Sequence, residues 1–272
     1  MHRFLTFIAF RVTKVYGILF FILLVCVGCE WQLKPAHDEA DNLEIKIERY
    51  DRIESLFLTT GDYSALQQMN TVYPMQTRML LENVLLIGKV NDPEINTKFL
   101  YFFQDSVLQK MLGDVEEQYK DIEDLNDDLT AAFRRLKEEL PDLEIPQVYA
   151  QIGSFDQSII VGNNTLGISL DKYLGADYPF YQEHYTDDQR RMMVRDMIVP
   201  DCLSFYLLSL YPMPNADELT KEQRDIHMGR IQWVVNQITD HKVFSNSFVS
   251  AAEQTMKRHK QMTIHQLLLQ SE

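Results

Sequence analysis

The chain has 272 residues, 46% of them hydrophobic, and a formal net charge of −14. That apolar content belongs to a chain that folds around a core rather than to a disordered one. The acidity repels phosphate backbones and anionic lipid surfaces, so nucleic acid is excluded as a partner and membrane attachment would need a lipid.

The N-terminus reads "MHRFLTFIAFRVTKVYGILFFILLVCVGC", with positive charges at Arg3, Arg11 and Lys14 and none across residues 15–27. A basic region followed by an apolar run of this length is the pattern of an export signal. A membrane-spanning helix needs about 20 apolar residues. Extending the run to that length would bury Arg11 and Lys14 in the bilayer.

Val27-Gly28-Cys29 closes the run in the manner of a bacterial lipobox, with Cys26 where such motifs usually carry Leu. Cleavage after residue 28 would leave Cys29 as the lipid-attachment residue, bearing acyl chains such as palmitate. An uncleaved membrane anchor and a redox C-x-x-C pair are the competing readings of Cys26 and Cys29. A redox pair belongs near a βαβ unit, and this one ends a signal-like segment. Loss of the three basic residues takes the net charge from −14 to −17. The expected organisation is a signal peptide at 1–28, a polar tether at 29–42 and a globular domain at 43–272.

Along that domain, "LEIKIERYDRI" alternates apolar and charged residues at Leu43, Ile45 and Ile47 and predicts a first strand. Residues 53–87 are helical in pattern, broken near Pro74 and stopped by Gly88. Asp92-Pro93 opens a further helix, which Gly113 is expected to end. Next comes an apolar stripe at Val115, Tyr119, Ile122, Leu125, Leu129, Phe133, Leu136 and Leu140, with Pro141 as terminator. The acidic residues between these positions fit no EF-hand register and read as a solvated face.

Residues 147–152, 158–161 and 165–169 are rich in β-branched residues and predict three strands. Gly162-Asn163-Asn164 forms a tight hairpin between the last two. Asn163-Asn164-Thr165 also matches a glycosylation acceptor, a chance match in a bacterial chain. Residues 187–211 are helical with an interruption at Pro200, residues 222–238 form another helix, and the C-terminal stretch supplies the last helical region. The fold class is α+β, helix-dominated, one domain with a small sheet near residues 145–170.

Catalytic templates are largely missing. A strand-then-helix order is where zinc peptidases place H-E-x-x-H, yet residues 187–211 contain no His. His184 has no partner four residues on, His259 and His265 are six apart, and His227 and His241 are fourteen apart. Cys202 in "MIVPDCLSFYLLSLY" reads as a small buried hydrophobe. Asp171, Tyr173 and Asp177 in "SLDKYLGADYPFY" could form an acid site. Alternatively Asp171 caps the turn after the strand, with Leu170, Tyr173 and Leu174 in the core. Tyr178, Phe180, Tyr181 and Tyr185 could line a groove or pack a loop onto the domain.

The order of the segments "IKIERYDRIESLF", "TVYPMQTRMLLENVLLIG", "NNTLGISLDKYLGADYPFY" and "IHMGRIQWVVNQI" behind a lipobox resembles the GldB family of gliding-motility lipoproteins of Bacteroidota. The resemblance implies a periplasm-facing, lipid-anchored cell-envelope protein without enzymatic activity or cofactor. It also implies partners in motility or linked secretion, and a distant likeness to zincin-type peptidases. The segment at 187–211 lacks the zinc ligands of such enzymes, so Cys29 is the one functional position to carry over. An envelope metallopeptidase-like hydrolase with unusual ligands is the alternative function.

Overall fold

A computed structural model describes residues 43–270; the expected signal at 1–28, Cys29 and the expected tether at 29–42 lie outside the described residues. Helices dominate. Helix α1 (Tyr50–Thr60), α2 (Tyr63–Thr71) and α3 (Pro74–Met79, continued by a π turn at Leu80–Val84) come first. Then follow α4 (Ile95–Phe102), α5 (Ser106–Gln118) and α6 (Glu123–Glu139). The sheet is β1 (Gln147–Gln151), β2 (Ile159–Gly162) and β3 (Thr165–Ser169). The C-terminal half holds α7 (Pro179–His184), α8 (Asp187–Arg190), α9 (Ile198–Leu210), α10 (Lys221–Thr239), α11 (Ser247–Arg258) and α12 (Ile264–Leu268).

The three strands stand where their composition places them, in the order β1-β3-β2, with β1 parallel and β2 antiparallel to β3. The two-residue hairpin forms with Asn164 at φ 55, a conformation asparagine tolerates better than most residues. One core runs from Ile45 to Leu268, so the helices and sheet share a single interior. Helix α9 packs against β2 and β3, and α10 packs against α9 and α11. Gly229 lets α10 and α11 meet closely, since a Cβ there would lie 2.4 Å from Cβ of Phe248.

Five expectations about element boundaries are corrected by the structure. The segment at 43–49 buries Ile45 and Ile47 as its alternation requires, but it makes only one bridge, from Glu48 to Tyr149 of β1. Side chains of α6 replace a partner strand: Ile45 N–H donates to Thr130 Oγ1 and Ile47 N–H to Asn126 Oδ1, both at 2.9 Å. Helix α5 runs through Gly113, because the next break is made further on at residues 119–122. There the hydroxyl of Tyr119 donates to Tyr173 O at 2.6 Å and Asp121 Oδ1 accepts from Glu123 N–H at 2.9 Å; the apolar stripe is divided between α5 and α6 while every stripe residue stays buried.

The helical run before Gly88 ends at Val84, with Leu85 as its C-cap and Leu86, one residue beyond, in the left-handed conformation. The break within 187–211 falls ahead of Pro200. That proline sits in the first turn of α9, where its missing N–H leaves no bond unmade.

Candidate functional site

The polar interior is concentrated on the turn after β1. Ser154 and Phe155 have φ of 57° and 67°, and Phe155 is a bulky residue in a region L side chains avoid. Two carboxyl groups hold this turn by its backbone. Asp171, directly after β3, accepts from Gly153 N–H at 2.7 Å and from Phe155 N–H at 2.5 Å. Glu54 of α1 accepts from Ile152 N–H at 3.0 Å. Both side chains are fully buried.

Burial is the main reason the Asp171 carboxyl is raised from its ordinary range, and the two donated N–H groups oppose that rise. Glu54 is raised well above the usual carboxylate range, first by burial and then, against the Ile152 bond, by the charges of Asp171 and Asp51. Its second oxygen and the side-chain oxygen of Gln151 are buried without a hydrogen-bond partner among the described residues. Gln151 also donates to Ser169 Oγ at 3.2 Å. Gly153 is required here, because a Cβ would come within 2.8 Å of Ser169 Oγ.

The aromatic segment after β3 closes over the same turn. The Tyr181 hydroxyl donates to Asp171 O and accepts from Leu174 N–H at 3.2 Å. The Tyr185 hydroxyl donates to Phe155 O at 2.7 Å, and the Lys172 ammonium reaches the same carbonyl at 3.0 Å. Phe155 stacks on Phe180 at 4.0 Å, and Phe180 stacks on His184 at 4.1 Å. These rings therefore pack a loop onto the domain; they do not line an open groove.

Asp171, Tyr173 and Asp177 do not converge. Asp171 serves the turn and Asp177 is exposed, while Tyr173 is buried and donates to Asp201 Oδ2 at 2.8 Å. Of the two sequence readings, capping describes Asp171, with Leu170, Tyr173 and Leu174 in the core. The turn it caps, however, follows β1 rather than its own strand.

Glu54 and Asp201 escape a reading by motif. Glu54 carries one signal, a carboxylate four residues after Tyr50 and four before Leu58 on the buried face of α1. Burial pushes the Asp201 carboxyl up to about 6, against the Tyr173 bond. Burial and then the Asp201 charge push the Cys202 thiol up, which makes it a packed hydrophobe rather than a nucleophile.

The histidines are dispersed. His184 bonds Phe180 O and His227 meets Tyr211 O at 2.8 Å; His265 meets the Tyr211 hydroxyl, also at 2.8 Å. His241 and His259 are exposed. Among the described residues, no three His, Cys, Asp or Glu side chains are grouped so as to hold a metal ion. The metallopeptidase alternative draws no support from this arrangement. Nor is any helix of the described residues long and apolar enough to cross a membrane.

The family profile described as gliding motility protein GldB matches residues 31–271. The chain belongs to the GldB family. It is thus a gliding-motility-associated lipoprotein by family, as the order of its segments suggested. No curated protein and no solved structure matches it.

Proposed function

We propose that this GldB-family chain is a non-enzymatic lipoprotein, held on the periplasmic face of an envelope membrane by acyl chains on Cys29. In this reading its body docks to a protein partner in a gliding or linked secretion assembly. The observation that carries the proposal is the basic, then uncharged leader ending in Val27-Gly28-Cys29, two residues ahead of the matched region. The non-enzymatic part is supported by the internal polar groups: Asp171, Glu54, Tyr173 and Asp201 bond neighbouring backbone or each other. Several acyl chains give stable anchoring where one would not, and the acidic body gains nothing from an anionic surface.

Labelled fatty acid should be incorporated by the wild type and lost entirely in Cys29→Ala. Mass spectrometry of the natural protein should find residues 1–28 removed. Retention of label in Cys29→Ala, or a mature chain still carrying its leader, would sink the proposal.

A further inference from the structure

A cleft of about 1000 Å³ opens at the hairpin end of the sheet, between the ends of α6 and α9 and the β2–β3 turn. Val161 and Tyr206 contribute apolar surface to it, and Leu210 and Leu269 stand at it 43% and 60% exposed. Large apolar side chains left in water beside a concave surface are characteristic of docking sites.

The charge of the cleft has one sign. Glu139, Asp142 and Glu144 line it and are exposed, and no Lys or Arg is among its described lining residues. None of the three carboxylates forms an ion pair with a described residue. The nearby Lys137 ammonium is turned to Leu143 O at 2.5 Å instead. Two helices also end here, α6 at Glu139 and α9 at Leu210, and α9 has no basic residue in its last turn. A helix C-terminus carries negative partial charge and disfavours a carboxylate beside it. Glu139 stands at the α6 end, where Lys137 in the last turn offsets part of that repulsion, whereas the α9 end has no such cation.

The carboxylates are not grouped for a metal ion. Negative charge spread along an apolar groove fits an extended chain that alternates cationic and apolar side chains. An anionic bilayer or nucleic acid would be repelled. We infer that this cleft receives an extended, Lys- or Arg-bearing segment of a protein partner, with the cations at Glu139, Asp142 and Glu144 and apolar side chains against Leu210 and Leu269. The inference rests on the docking role proposed above and names the face and the partner's chemistry.

The test is fluorescence anisotropy with the full-length chain in neutral detergent micelles. The probe is a fluorescein-labelled octapeptide alternating lysine with threonine and valine, and protein-free micelles are the blank. Loss of three exposed ion pairs makes the expected weakening roughly tenfold for the triple variant Glu139→Gln, Asp142→Asn, Glu144→Gln. Leu210→Ser with Leu269→Ser should weaken binding several-fold without changing its salt dependence. A control that removes three other exposed carboxylates (Glu116→Gln, Glu117→Gln, Asp127→Asn) should leave affinity unchanged.

The inference is overturned by absence of binding, by an equal loss in the control, or by equal binding of a peptide with glutamate in place of lysine. Circular dichroism melts confirm that each variant is folded. The result is independent of lipid labelling: absence of label from the wild type, or its retention in Cys29→Ala, would remove the anchoring proposal and leave this binding intact.

Discussion

Glu54 and Asp171 near the sheet, and Glu139, Asp142 and Glu144 at its hairpin end, are the same chemical group in opposite surroundings. The first pair is fully buried and bonded to backbone N–H groups of the turn after β1. The second set is exposed and has no cationic partner among the described residues. A buried carboxyl persists only where donors replace its water. Its position then reports what it holds, here a backbone with Ser154 and Phe155 in left-handed conformations. An exposed carboxylate beside a helix C-terminus has no such structural return, and its position points outward to what it could meet.

Removing a member of the buried set should have the largest effect. Asp171→Ala leaves the N–H groups of Gly153 and Phe155 without an acceptor. The expected loss is about 2–6 kcal/mol, at about 1–3 kcal/mol for each of the two orphaned buried donors, read by urea denaturation. Asp171→Asn keeps an acceptor oxygen and should cost less. A loss below 1 kcal/mol in Asp171→Ala would mean that the turn holds itself.

A second effect depends on pH. The Asp201 carboxyl is raised to about 6 in the folded chain by burial, from an ordinary value of 3.8. Its proton is bound more tightly in the folded state, so its contribution to stability is complete below pH 4 and is lost as pH rises through 6. At about 1.4 kcal/mol per pKa unit, that loss amounts to roughly 3 kcal/mol. Relative to the wild type, Asp201→Asn should therefore be about 3 kcal/mol more favourable at pH 8 than at pH 4. Parallel stability–pH curves for the two chains would contradict the assignment.

The smallest effect belongs to the open set. Neutralising Glu139, Asp142 and Glu144 together should change stability by less than about 1 kcal/mol, in the stabilising direction, because repulsion from the helix ends is relieved. A destabilisation as large as that of Asp171→Ala would erase the contrast between the two sets.

Much of the fold was legible in local pattern. The strands at β1, β2 and β3, the Asn163-Asn164 turn and the stop at Pro141 follow from β-branching, turn chemistry and proline geometry, which act within a few residues. The stripe from Val115 to Leu140 correctly marked a buried face, because periodicity records which side is apolar. It did not mark the break at 119–122, where Tyr119 reaches Tyr173 fifty-four positions away and Asp121 accepts from Glu123 N–H at the start of α6. The candidate site was less legible. Asp171 stood out beside β3, but Glu54 reaches Ile152 across 98 positions, and no short motif encodes that pairing.

Composition, periodicity and the leader determined by themselves the acidic surface, the helix-dominated α+β class and the expectation of a lipid on Cys29, since each depends only on neighbouring residues. Tertiary structure alone decided which carboxylates are buried on backbone donors and which remain open to a partner. That sorting depends on water being excluded by segments far apart in the chain.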